Sequence, residues 1–172
     1  TGCVATALCQ VMRYWSVQNK YNYDYGMMPD NYGNPEVQRM MSDVGKAIGM
    51  NYGCGGSGAY MQNARKALVG EFNFSTADYD DLNFRYLQSD LENLRPVVLD
   101  GCRTKNDWLF YRIYSNCHAW VCDGYMYHKN ACNSGHFWYH MNWGWNEWFG
   151  SNNLNGWFIY NNWHPGTRNY RY

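Results

Sequence analysis

Asn93-Leu94-Arg95-Pro96-Val97-Val98-Leu99 is where the sequence changes period. Proline disfavours helix for the residue before it, and Val97-Val98-Leu99 is a short β-branched apolar run. A helical pattern therefore ends here and a buried strand begins. Upstream, Val4, Leu8, Val11, Met12 and Trp15 recur in steps of three and four, which predicts a helix over 4–15. A polar, tyrosine-rich loop follows, and Asn34-Pro35-Glu36 then reads as a helix start: a capping amide, proline at the first position, an acid in the first turn. Val37, Met40, Met41, Val44 and Ile48 continue that helix, and Gly49 stops it. Gly53-Cys54-Gly55-Gly56-Ser57-Gly58 is a glycine-rich bend, with Ser57 expected to cap a third helix to Leu68. A fourth is expected over 83–93.

Downstream of Leu99 a long loop is expected to Asn116, then strands over 118–127, 137–143 and 157–161. Helices first and strands after predict an α+β fold with a mainly antiparallel sheet. A chain of 172 residues fits one domain, 1–172, with a helical part over about 1–94 and a β part over about 95–172.

Composition narrows the function classes. Fourteen basic residues balance fourteen acidic ones, so no cationic footprint points to nucleic acid or a membrane surface. Charged residues are only 16% and aromatics 19%, which argues against disorder. No apolar run reaches membrane-spanning length. The first residues do not read as a signal peptide and lack a starting Met, so a processed product or a fragment is expected.

Seven cysteines leave at least one unpaired within the chain. Gly2 can serve as the cap region of the first predicted helix, which places Cys3 in its first turn, where unpaired N–H groups and the helix dipole favour a thiolate. A thiolate nucleophile needs a base that can later act as an acid, and histidine is the usual choice. Of His118, His128, His136, His140 and His164, His118 opens an apolar strand that could hold it rigidly. Burial as a small hydrophobe is the commoner fate of a cysteine, and a core histidine bonded to carbonyls is equally ordinary. Spacing alone leaves these alternatives open.

Zinc and sugar binding are two further readings. His136 and His140 would share a helix face, but His136-Phe137-Trp138-Tyr139-His140 reads as a strand, which separates them by about 13 Å. No Cys-x-x-Cys pair exists, so no metal and no cofactor are expected. Trp143, Trp145, Trp148, Trp157 and Trp163 could stack on sugar or peptide, but rings alternating along strands fill cores more often.

Thr1-Gly2-Cys3-Val4-Ala5-Thr6-Ala7 resembles the active-site cysteine segment of the streptopain family of bacterial cysteine proteases. Met50-Asn51-Tyr52-Gly53 with Gly56-Ser57-Gly58-Ala59 resembles that family's glycine-rich substrate loop. Arg95-Pro96-Val97 with Gly101 resembles the start of its central strand, and His118-Ala119-Trp120-Val121-Cys122-Asp123-Gly124-Tyr125 its histidine strand. His140-Met141-Asn142-Trp143-Gly144-Trp145, then Asn155-Gly156-Trp157-Phe158, resembles its tryptophan loop and closing strand. The five motifs keep the family's order, and the long loop before His118 looks most like Bacteroidetes members.

The resemblance implies a papain-like fold and a secreted, cell-surface or periplasmic bacterial endopeptidase that forms a thioester acyl-enzyme. It makes Cys3 the nucleophile and His118 the base, with Asn142, Trp143 and Trp145 orienting and shielding the imidazole. Ser57, Gly58 and the residue before the histidine, Cys117, would hold the substrate backbone. Cys117 replaces a usual glycine, so its side chain would narrow the cleft or pair with Cys3. Asn146-Glu147-Trp148-Phe149-Gly150 stands where the family has glycines, and the family's oxyanion-hole Gln lies upstream of Thr1. The implied partners are a peptide or protein substrate, a propeptide and a protein inhibitor. The alternative is a catalytically impaired relative that binds peptide or a protein partner in the same cleft.

Overall fold

The structure is a computed structural model that describes residues 2–108, 111–129, 131, 134–145, 154–160, 162–166, 168 and 170. It divides into two compact units, Thr1–Asp80 and Asp81–Tyr172.

The first unit is helical. Helix α1, Cys3–Trp15, buries Val4, Leu8, Val11 and Met12 on the face set by their spacing, with Ala5, Ala7 and Cys9 between them. It stops at Ser16, in the left-handed region, whose N–H bonds back to the Met12 carbonyl. Helix α2, Pro35–Ala47, begins as its sequence predicts: the Asn34 side chain accepts from the Val37 N–H at 2.9 Å. Met40, Val44 and Ile48 go into the core.

The third helix starts later than expected. Gly53-Cys54-Gly55-Gly56 makes a hairpin turn rather than a helix approach, joining β1, Asn51–Gly53, to β2, Gly56–Gly58. Ser57 is therefore a strand residue, and α3 runs Met61–Gly70. Four glycines in eight residues bend readily, and a lone serine cap signal does not outweigh them.

The second unit opens with α4, Phe84–Glu92, capped by Asn83, whose side chain accepts from the Arg85 N–H at 2.9 Å. A four-stranded antiparallel meander follows, in the order β3 (Val97–Trp108), β4 (Tyr111–Lys129), β5 (Gly135–Asn142), β6 (Gly156–Ile159). The expected α+β class with an antiparallel sheet is present. Within the expected loop, residues 100–108 and 111–116 are instead strand, paired from Val97↔Cys122 to Trp108↔Tyr111. Arg103, Lys105, Asn106 and Asp107 interrupt the alternation that would have revealed it.

The core of this unit joins Leu87 and Leu91 of α4 to Leu99, Trp120, Cys122, Tyr139, Met141, Trp143, Trp163 and Tyr170. His118, Trp120 and Cys122 are two residues apart along β4, so strand alternation places all three on one face. Among the described residues, no helix is long and apolar enough to cross a membrane.

Candidate active site

The first unit sets the start of α1, which carries Cys3, against β2, which carries Ser57. Cys3 is a free, half-buried thiol at the first position of α1, directly after Gly2. The Gly2 carbonyl accepts from both the N–H (3.1 Å) and the hydroxyl (3.2 Å) of Thr6, which ties down the start of the helix. Gly2 is needed here for close approach. A β-carbon on it would lie 2.6 Å from Met50 Sδ and 3.2 Å from the Ser57 carbonyl oxygen. The helix start thus packs against β2, where Ser57 is half-buried and Gly58 exposed.

The other free thiols differ in character. Cys9 and Cys122 are buried; burial pushes both thiols up, Cys122 to about 12, and the charges of Asp43 and Asp123 add to the effect. Neither is suited to nucleophilic attack at neutral pH. Cys54 is exposed on the β1–β2 turn. Cys132 and the segment 146–150 lie outside the described residues.

The second unit assembles the histidine environment. His118 is only 9% exposed. Its Nε2 lies 2.8 Å from the Trp143 carbonyl oxygen. A carbonyl only accepts, so Nε2 carries the hydrogen and Nδ1 is the nitrogen able to take a proton. Aromatic rings surround the imidazole: Trp145 at 4.7 Å between centroids, Tyr170 at 5.6 Å, Trp143 at 6.2 Å and Trp120 at 6.3 Å. The Arg168 guanidinium sits 4.5 Å from the centre of the Trp145 ring. Burial is the main force lowering the His118 pKa from its ordinary value. The bond to Trp143 opposes that shift and the Arg168 charge adds to it.

The loop carrying the acceptor is held at two points. The Asn142 side-chain oxygen accepts from the Gly144 N–H at 3.0 Å, and the Asn155 side-chain oxygen accepts from the Trp143 N–H at 2.8 Å. Gly144 has φ +71°, which favours glycine. Trp143 and Trp145 are therefore beside the imidazole. Asn142 bonds the peptide unit whose carbonyl receives the His118 proton.

Cys117 pairs with Cys102, directly across the β3–β4 ladder. The expected option of a Cys3–Cys117 bridge is thereby corrected: strand register brings Cys102 opposite Cys117, as it brings Gly101 opposite His118. No site role was expected for Cys102, Trp120, Asn155, Arg168 or Tyr170, although Trp120 and Asn155 stand in the quoted motifs. The alternation His118-Ala119-Trp120 could have revealed Trp120; the others become neighbours only through sheet pairing and the chain's last turn.

Among the described residues, no three His, Cys, Asp or Glu side chains gather as a metal site. His140 instead contacts Asp123, Nδ1 to Oδ1 at 2.6 Å. Trp143 and Trp163 are each 1% exposed and fill the core, whereas Trp157 is 43% exposed.

The sequence pattern of the Peptidase C10 family matches residues 1–158. Streptopain of Streptococcus pyogenes is 26% identical, over 84% of this chain and 43% of its own length. Thiol protease/hemagglutinin PrtT of Porphyromonas gingivalis is 27% identical, over 97% of this chain and 21% of its own. The chain thus spans less than half the length of either relative. No solved structure matches it significantly.

Proposed function

The chain belongs to the peptidase C10 family, and from that premise we propose that it carries the Cys–His machinery of a secreted, papain-like cysteine endopeptidase. On this reading Cys3 Sγ attacks the scissile carbonyl and His118 Nδ1 holds the thiol proton. His118 then gives that proton to the leaving amine, which leaves a thioester on Cys3 for water to hydrolyse. The backbone N–H of Cys3 donates to the oxyanion. Ser57, Gly58 and the Cys117 backbone line the path of the substrate peptide.

The observation that carries the reading is the hydrogen bond from His118 Nε2 to the Trp143 carbonyl. It selects the tautomer a general base requires, and the aromatic rings around it exclude water. Cys3 and His118 belong to different units, so their pairing rests on family membership and on the order of the motifs.

The test is labelling of the full-length protein with a thiol-directed epoxide at neutral pH, followed by peptide mapping and a peptide-hydrolysis assay. Selective modification of Cys3 over exposed Cys54, together with loss of hydrolysis in Cys3→Ala, is expected. Hydrolysis that survives Cys3→Ala would overturn the assignment. Peptide binding without turnover or selective labelling would identify a non-catalytic relative.

A further inference from the structure

The β5–β6 ladder ends at Met141↔Gly156, so the backbone beyond it, at Trp143, has left the sheet. The Asn155 side chain extends the contact past that end, accepting from the Trp143 N–H at 2.8 Å. On the other side of the same α-carbon, the Trp143 carbonyl accepts from His118 Nε2 at 2.8 Å. Trp143 itself is 1% exposed, which leaves little room for water to replace a lost partner. Two anchors on one residue fix its backbone dihedrals, and those dihedrals aim the carbonyl at the imidazole.

We propose that Asn155 is a positioning residue for His118, acting through the Trp143 backbone. Without its oxygen, the buried Trp143 N–H loses its acceptor. The loop then moves to satisfy it, and the carbonyl swings with the loop. His118 loses the bond that holds Nε2–H and is free to rotate or change tautomer, so Nδ1 no longer faces one direction. The inference rests on reading His118 as the general base.

The experiment compares Asn155→Leu, close in shape but with no acceptor, with Asn155→Asp, which keeps one. The first readout is the ¹H–¹⁵N signal of His118 Nε2–H in a Cys3→Ala background, which does not depend on turnover. Asn155→Leu is expected to speed solvent exchange of that proton by about tenfold or more, while Asn155→Asp retains protection. The second readout is kinetic. With Cys3 present, Asn155→Leu should lower kcat about tenfold with KM changed less than about twofold, and Asn155→Asp should recover most of the loss.

A third signature separates positioning from mere structural support. The groups facing the imidazole are the Trp143 carbonyl, the rings of Trp120, Trp143, Trp145 and Tyr170, and Arg168 beyond Trp145. Against these, the added carboxylate of Asn155→Asp should raise the His118 titration midpoint. A folded Asn155→Leu protein with unchanged Nε2–H protection and unchanged kcat would overturn the proposal. So would an Asn155→Asp protein as impaired as Asn155→Leu in both readouts. If the parent protein lacks peptidase activity, the functional reading fails, and the Nε2–H signal still decides the role of Asn155.

Discussion

Removing the Cys102–Cys117 bridge with a Cys102→Ala/Cys117→Ala double variant tests both the strand register and the energetics beside His118. The two cysteines are 15 residues apart, and closing a loop of that size in the unfolded chain stabilises the native state by about 3 kcal/mol. Ladder pairs flank the bridge on both sides, from Val97↔Cys122 to Trp108↔Tyr111, so the loss should appear mainly as extra freedom of the unfolded chain. Urea unfolding followed by tryptophan fluorescence is the appropriate assay. Only Trp15 precedes Asp81, so eight of the nine tryptophans report on the second unit. The expected result is a loss of about 3 kcal/mol, with a somewhat steeper urea dependence because the unlinked chain exposes more surface. A reductant should reproduce the loss in the parent and do nothing further in the variant. A change below about 1 kcal/mol, or a peptide map joining Cys117 to a different cysteine, refutes the reasoning.

Gly2→Ala should destabilise the first unit by about 1 kcal/mol. The new β-carbon meets the end of the flexible Met50 side chain and the rigid Ser57 carbonyl, and Met50→Val should relieve only the first of these contacts, as a double-mutant cycle by thermal unfolding would show. His118 is held neutral by burial, so the unfolded chain takes up its proton first as pH falls. Stability should therefore decline below about pH 6.5, and the decline measured by urea titration should be smaller in His118→Gln. Removing the positive charge in Arg168→Gln should raise the His118 midpoint toward its ordinary value, read by NMR in a Cys3→Ala background.

Local chemistry is legible wherever one residue or one period carries the signal. Asn34-Pro35-Glu36 announces α2, and the step pattern predicts the buried face of α1 from Val4 to Met12, although Trp15, the last residue of that pattern, is 43% exposed. The break at Pro96 separates helices from sheet, and five ordered motifs point to the family. These follow from backbone sterics and side-chain periodicity, which act over a few residues and leave their mark in the order of the chain.

The glycine-rich bend is a harder case, because glycines permit many conformations and select none; packing of β2 against the start of α1 chooses the hairpin. Strand register then does what no local pattern encodes. It sets Cys102 opposite Cys117 and Gly101 opposite His118, and the end of the β5–β6 ladder brings Asn155 to the Trp143 N–H. Tyr170, 52 residues after His118 (170 minus 118), packs against its imidazole only because the chain's last turn folds back onto Trp163. Residue types and short spacings therefore offered candidates, and the resemblance of five ordered motifs pointed to Cys3, His118 and the tryptophan loop among them. The direction in which the histidine points depends on pairings between distant strands, whose stabilisation exists only once the sheet has formed.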